Sequence, residues 1–178
     1  MLLHRPYARL LLVGVALAVL QQWTGINILF NYASEIYSKA GYGSSDILLN
    51  IVITGSINLL STVLAMLLVD TVGRRKLMLA GCAGIAVSHL LCASAYSHHL
   101  MGTPVLLLTL LAIAFYACTL APVTWVLISE LFPNSIRSQG VSASVSALWV
   151  ASFLLTYTFP LLQGALGTAG IFRIYGGV

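Results

Sequence analysis

Apolar residues in this chain come in long runs separated by short polar turns, not in the in–out alternation of a soluble domain. A membrane-crossing helix needs roughly 20 mostly apolar residues. Five runs meet that length: Leu10–Tyr37, Ile47–Val69, Leu77–Tyr96, Pro104–Ser129 and Val141–Leu162. A sixth begins near Ala169 and reaches only Val178, so it reads as a truncated last helix and the chain as a fragment. The expected class is an all-α membrane protein, with no linker, repeat or low-complexity segment dividing it.

The polar residues inside these runs carry the information. Gln21–Asn27, QQWTGIN, follows directly on the apolar LLLVGVALAVL. On a straight helix with Gln21 as origin, Gln22, Asn27 and Asn31 fall at about 100°, 240° and 280°. Glutamines and asparagines then occupy nearly opposite faces, and an amide facing lipid without a partner costs several kcal/mol. Either the span is buried all round, or it bends at Gly25 so that both groups face one cavity. Broken helices of that kind build mid-membrane sites in transporters, but buried amides also serve as interhelical glue.

Two other runs tilt the balance toward a cavity. Thr54, Asn58 and Ser61 form one polar stripe on the second, and Ser142, Ser146 and Trp149 repeat the spacing on the fifth. Trp149 lies mid-span, away from an interfacial aromatic belt, whereas Trp125, five residues before Glu130, also fits an interfacial anchor. Pro122 should kink the fourth run by removing a backbone donor. Amides flanked by indole faces suit a neutral polyhydroxylated ligand, whose hydroxyls need partners and whose C–H face stacks on tryptophan.

Composition agrees with the membrane reading. Of 178 residues, 60% are hydrophobic and 7% charged, with mean hydropathy +1.00; soluble domains carry about 25% charged residues. Arg5, Arg9, Arg74, Arg75, Lys76 and Arg137 all fall on one side of alternating spans, leaving Lys39 and Arg173 for the other. By the positive-inside rule the N-terminus is expected in the cytoplasm. The net charge of +4 then needs no nucleic acid to explain it. Arg5, Arg9 and Ala16-Leu-Ala18 also have the outline of a signal peptide, but the apolar run is short and cleavage would leave QQWTGIN as a new terminus. Cys82, Cys92 and Cys118 read as small buried packing residues, and His89, His98 and His99 are uninformative. Glu35, Asp46, Asp70 and Glu130 all sit at span ends or in loops. No nucleophile–base set, phosphate-cradling loop or metal-ligand spacing is present in the sequence, so neither an enzyme nor a metal or other cofactor is expected.

Three motifs carry a family resemblance: QQWTGIN (21–27), DTVGRR (70–75) and PVTWVLISELFPNSIR (122–137). In this order and spacing they resemble the C-terminal half of sugar porters of the major facilitator superfamily, which include sugar–proton symporters and glucose-type facilitators. The resemblance covers essentially the whole chain. It implies a twelve-helix fold of two six-helix halves, with this chain matching helices seven to eleven and the start of twelve. It also implies that Gln21, Gln22, Asn27, Asn58, Trp125 and Trp149 contact the sugar and that Tyr32 stands at an extracellular gate.

Departures accompany the likeness. Leu148 stands where relatives often carry an amide, which bears on the hydroxyl pattern recognised, and Ala121 replaces a glycine that often precedes the proline. Asp70 with Arg74 and Arg75, and Glu130 with Arg137, are expected to clamp helix ends on the cytoplasmic side. Positive-inside topology explains the arginines but not the acids beside them.

The resulting expectation is transport of a monosaccharide across the plasma membrane by alternating access, without covalent chemistry. Its partners would be the sugar, membrane lipid and the N-terminal half of the transporter that the resemblance places before Met1. An inactive truncated membrane protein, an interaction partner and a non-transporting sugar sensor remain open alternatives.

Overall fold

The structure is a computed structural model that describes residues 5–178, with side chains from Tyr7 onward. The Arg5 charge used above for orientation lies outside the described side chains. Among the described residues eight helices follow one another: α1 (Arg5–Trp23), α2 (Ile26–Asn31), α3 (Ala33–Lys39), α4 (Ser44–Val72), α5 (Arg74–Ser97), α6 (Thr103–Cys118), α7 (Leu120–Leu131) and α8 (Arg137–Gly177). They supply five stretches long and apolar enough to cross a membrane: Tyr7–Asn31, Ser44–Val72, Arg74–Ser97, Thr103–Leu131 and Arg137–Gly177.

Breaks fall where the sequence weakens the helix. The first expected span, Leu10–Tyr37, is three helices, interrupted at Gly25 and Tyr32. The fourth is interrupted at Thr119, three residues before Pro122. The fifth continues through Pro160 to a break at Gly167, whose φ of 70° suits only glycine well. The run expected near Ala169 follows that break and doubles back against α5, where Phe172 stacks on Tyr96 at 5.8 Å.

Helix α4 shows which solvent this surface was built for. Its buried residues are Asn50, Thr54, Ser61 and Ala65. Its exposed ones include Leu48, Leu49, Val52, Leu59, Leu60, Val63 and Leu67. This is the reverse of a soluble amphipathic helix, and it is what lipid dictates: small and polar residues make the interhelical contacts while leucine and valine meet the acyl chains. The Tyr37 and Thr54 hydroxyls share a hydrogen bond of 2.8 Å in that seam.

Helix α1 packs along α8, α5 lies against both α6 and α8, and α4 covers α6. One apolar core joins Ile26, Ile28, Leu29, Ile36, Tyr96, Ile113, Phe159 and Phe172. A second, at the end bearing Arg9 and Arg137, joins Ala18, Ile128, Phe132, Ile136 and Leu148. The Gln21–Asn27 segment runs between the two.

Candidate ligand-binding site

Gly25 decides the geometry of this segment. Its φ of 79° lies in the left-handed region, and it separates α1 from α2. The straight-helix conflict between glutamine and asparagine faces is thereby resolved by a bend. Asn27 Nδ2 donates to Gln22 Oε1 across the break, and also to Ser152 Oγ on α8 at 3.0 Å. Gln21 turns the other way, donating from Nε2 to the Tyr116 hydroxyl on α6 at 3.0 Å. Both glutamines are buried, at 3% and 5% exposure, while Asn27 is half-buried. So the bend does not aim every amide at one place: α2 lies between α6 and α8, and the amides reach both neighbours.

Breaking a helix inside a membrane frees carbonyls that no water can serve, so each needs a donor from elsewhere in the protein. The Gln21 carbonyl receives the Thr24 hydroxyl at 2.7 Å. The Thr24 carbonyl lies 2.9 Å from His89 Nε2 on α5. Pro160 has no N–H, so the Thr156 carbonyl one turn back loses its helical donor. The Tyr32 hydroxyl donates to it at 3.2 Å, and the Tyr32 ring lies 4.4 Å from that of Phe159. Tyr32, expected at a gate, thus ties the end of the broken span to α8. Asn31 reaches the Thr156 hydroxyl at 3.4 Å from the same segment.

The polar stripe on the fifth span runs further than Ser142, Ser146 and Trp149. Continuing at helical spacing it reaches Ser152 and Thr156, the partners of Asn27 and Asn31. Ser142, Ser146 and Trp149 themselves are exposed, Trp149 at 65%. Trp125 on α7 is 45% exposed. Asn58 on α4 is half-buried, and its backbone carbonyl accepts from Thr62 at 2.8 Å. Among the described residues, neither Asn58 nor Trp125 hydrogen-bonds to the Gln22–Asn27–Ser152 cluster. The stripe on α4 splits: Thr54 and Ser61 are buried against neighbouring helices, and Asn58 is not.

The charged residues pair differently from expectation. Arg74 at the start of α5 meets Glu130 at the end of α7, at 2.8 Å, with side chains 45% and 51% exposed. The expected pairs within each motif do not form among the described residues. Asp70 and Arg75 are exposed and without an ion partner among the described residues, and Arg137 bonds through Nε to the Phe132 carbonyl at 3.3 Å instead of to Glu130. The reason is geometric: Arg74 opens α5 beside the end of α7, so the acid of one motif is nearer the base of the other. At the opposite end Glu35 and Lys39 pair at 3.1 Å, and Arg173 donates to Ser97 Oγ at 2.9 Å.

Sequence reasoning missed Tyr116, Ser152, Thr156 and His89. Ser152 and Thr156 were within reach of the fifth-span stripe, about one and about two turns beyond Trp149. Cys82, expected to be buried, is exposed, whereas Cys92 is buried and Cys118 intermediate.

The family described as "Sugar (and other) transporter" matches residues 1–178. The D-xylose-proton symporter of Escherichia coli (strain K12) is 37% identical over 153 residues, which is 86% of this chain and 31% of the symporter. The major myo-inositol transporter of Bacillus subtilis (strain 168) is 34% identical over 175 residues, covering 96% of this chain and 37% of that transporter. A solved structure of the proton:xylose symporter bound to 6-bromo-6-deoxy-D-glucose matches with TM-score 0.86 and 35% identity, over 94% of this chain and 36% of that one. The chain spans about a third of the length of these relatives.

Proposed function

The chain belongs to the sugar (and other) transporter family, and on that premise we propose that it supplies one wall of a monosaccharide site in an alternating-access transporter. The observation that carries the proposal is the Gly25 break, which brings the amides of Gln22 and Asn27 together with Ser152 between two membrane-spanning stretches. Amides both donate and accept, so the cluster can exchange its internal hydrogen bonds for bonds to sugar hydroxyls at little net cost. Gln21 adds a buried Oε1 that has no donor among the described residues. Trp149, on the same stripe of α8 as Ser152, offers an exposed indole face to the apolar side of a sugar ring. Asn58 and Trp125 complete the wall once a ligand bridges to them, and Tyr32 gates its outer end.

Facing this wall there must be a second bundle, because alternating access is the rocking of one bundle against another. The partner proposed is the N-terminal six-helix half of such a transporter. The Arg74–Glu130 pair, with Asp70, Arg75 and Arg137 around it, would bias the closed state at the cytoplasmic end of a plasma-membrane carrier whose N-terminus is cytoplasmic.

The test is uptake of radiolabelled monosaccharides by transport-deficient cells. The chain is expressed alone and together with the N-terminal half of the D-xylose-proton symporter. Saturable uptake only when both are present is the expected result. Uptake by this chain alone would contradict the one-wall reading, and no uptake from a correctly inserted pair would contradict sugar transport.

A further inference from the structure

We infer that His89 is a positioning residue for the amide cluster: its Nε2–H holds the Thr24 carbonyl that the Gly25 break leaves without a helical donor, and so sets the angle between Gln22 and Asn27.

The backbone hydrogen bonds around the break show the vacancy that His89 fills. In an unbroken helix the Thr24 carbonyl would accept from the Ile28 amide, four residues on. Here the Ile28 amide bonds one residue short, to the Gly25 carbonyl at 3.0 Å, and the Gly25 amide bonds to the Gln22 carbonyl at 3.2 Å. The carbonyls of Gln21 and Thr24 are therefore released from their helical donors. Thr24 satisfies the first with its own hydroxyl. Only a group from another helix serves the second, and that group is His89.

A carbonyl oxygen only accepts, so His89 carries its hydrogen on Nε2. Its Nδ1 is buried without a partner among the described residues. The ring is 1% exposed and is bracketed by Phe172 at 5.5 Å and Tyr175 at 6.5 Å between centroids. Tyr175 also covers Gly25: a Cβ placed there would lie 2.5 Å from the Tyr175 ring. His89, Gly25 and the segment after Gly167 therefore form one packed unit. If His89 lets go, the Thr24 carbonyl recovers a donor only by straightening toward Ile28. Straightening would rotate Asn27 away from Gln22, as the helical wheel requires.

This inference rests on the proposed sugar reading only for its consequence at the binding site; the holding of the break does not depend on it. The test uses the full 178-residue chain in lipid nanodiscs, comparing wild type with His89→Leu, which removes the donor, and His89→Gln, which keeps an N–H. Hydrogen–deuterium exchange is read at the Thr24, Gly25 and Ile28 amides. Loss of a buried carbonyl's donor should speed exchange there roughly fivefold or more in His89→Leu, and His89→Gln should return it to near the wild-type rate. Equal exchange in the two variants would mean that the ring merely fills space, and would overturn the inference. Should His89→Leu fail to fold, the tautomer decides. A ¹⁵N-histidine spectrum of the wild type with hydrogen-bonded Nε2–H and bare Nδ1 supports the role, and the opposite tautomer overturns it. Neither readout needs sugar, so absence of sugar binding in the assembled wild type would sink the sugar reading alone.

Discussion

Replacing Gly25 by alanine should be among the most costly single changes in this chain, and the cost has two separable parts. The backbone at Gly25 has φ 79°, and holding a residue with a side chain in that region costs roughly 1–2 kcal/mol. The new Cβ would also sit 2.5, 2.6 and 3.1 Å from Cδ2, Cγ and Cβ of Tyr175. Forcing a methyl into a packed site costs roughly 1–3 kcal/mol. The total is about 2–5 kcal/mol. A double-mutant cycle divides it, because Tyr175→Ala removes the clash and leaves the backbone term untouched. Reversible unfolding in mixed micelles, followed by tryptophan fluorescence, gives the four free energies. Gly25→Ala should then cost about 1–2 kcal/mol in the Tyr175→Ala background and more in the wild type. A cost below about 0.5 kcal/mol in the wild type would mean that the chain does not hold this break, and with it would fall the contact between Gln22 and Asn27.

Two further outcomes follow from the same geometry. Tyr32→Phe removes the donor to the Thr156 carbonyl freed by Pro160; it should cost roughly 0.5–1.5 kcal/mol in the same unfolding measurement. Glu130→Gln or Arg74→Ala breaks a pair that is about half exposed, so stability should fall by less than about 1 kcal/mol, while uptake rate by the assembled transporter should change more than its equilibrium sugar affinity.

Much of the fold was legible because lipid imposes length and hydropathy directly on sequence. The five spans follow from that. The bend at Gly25 was legible as one of two ways out of a conflict, since amides on opposite faces of one helix cannot both avoid lipid. Which partners the amides would find was not. Ser152 and Tyr116 lie 125 and 95 residues from theirs; Ser152 continues the fifth-span stripe, but no local feature pairs either residue with its amide. Proline announces a freed carbonyl in advance, so the Tyr32–Thr156 contact could have been sought from Pro160. The Thr24 carbonyl carries no such flag, and His89, a lone imidazole in an apolar run, looked uninformative for that reason. The charge pairing failed on similar grounds: motifs show which charges are neighbours in sequence, whereas Arg74 and Glu130 meet only because α5 begins where α7 ends.

The most direct measurement is equilibrium binding of a monosaccharide to the chain assembled with an N-terminal half, for wild type and Asn27→Ala. If the amides joined by the Gly25 break are the sugar's partners, Kd should rise roughly threefold to tenfold with insertion and fold unchanged. An unchanged Kd in folded Asn27→Ala protein would contradict it and leave the cluster as interhelical glue.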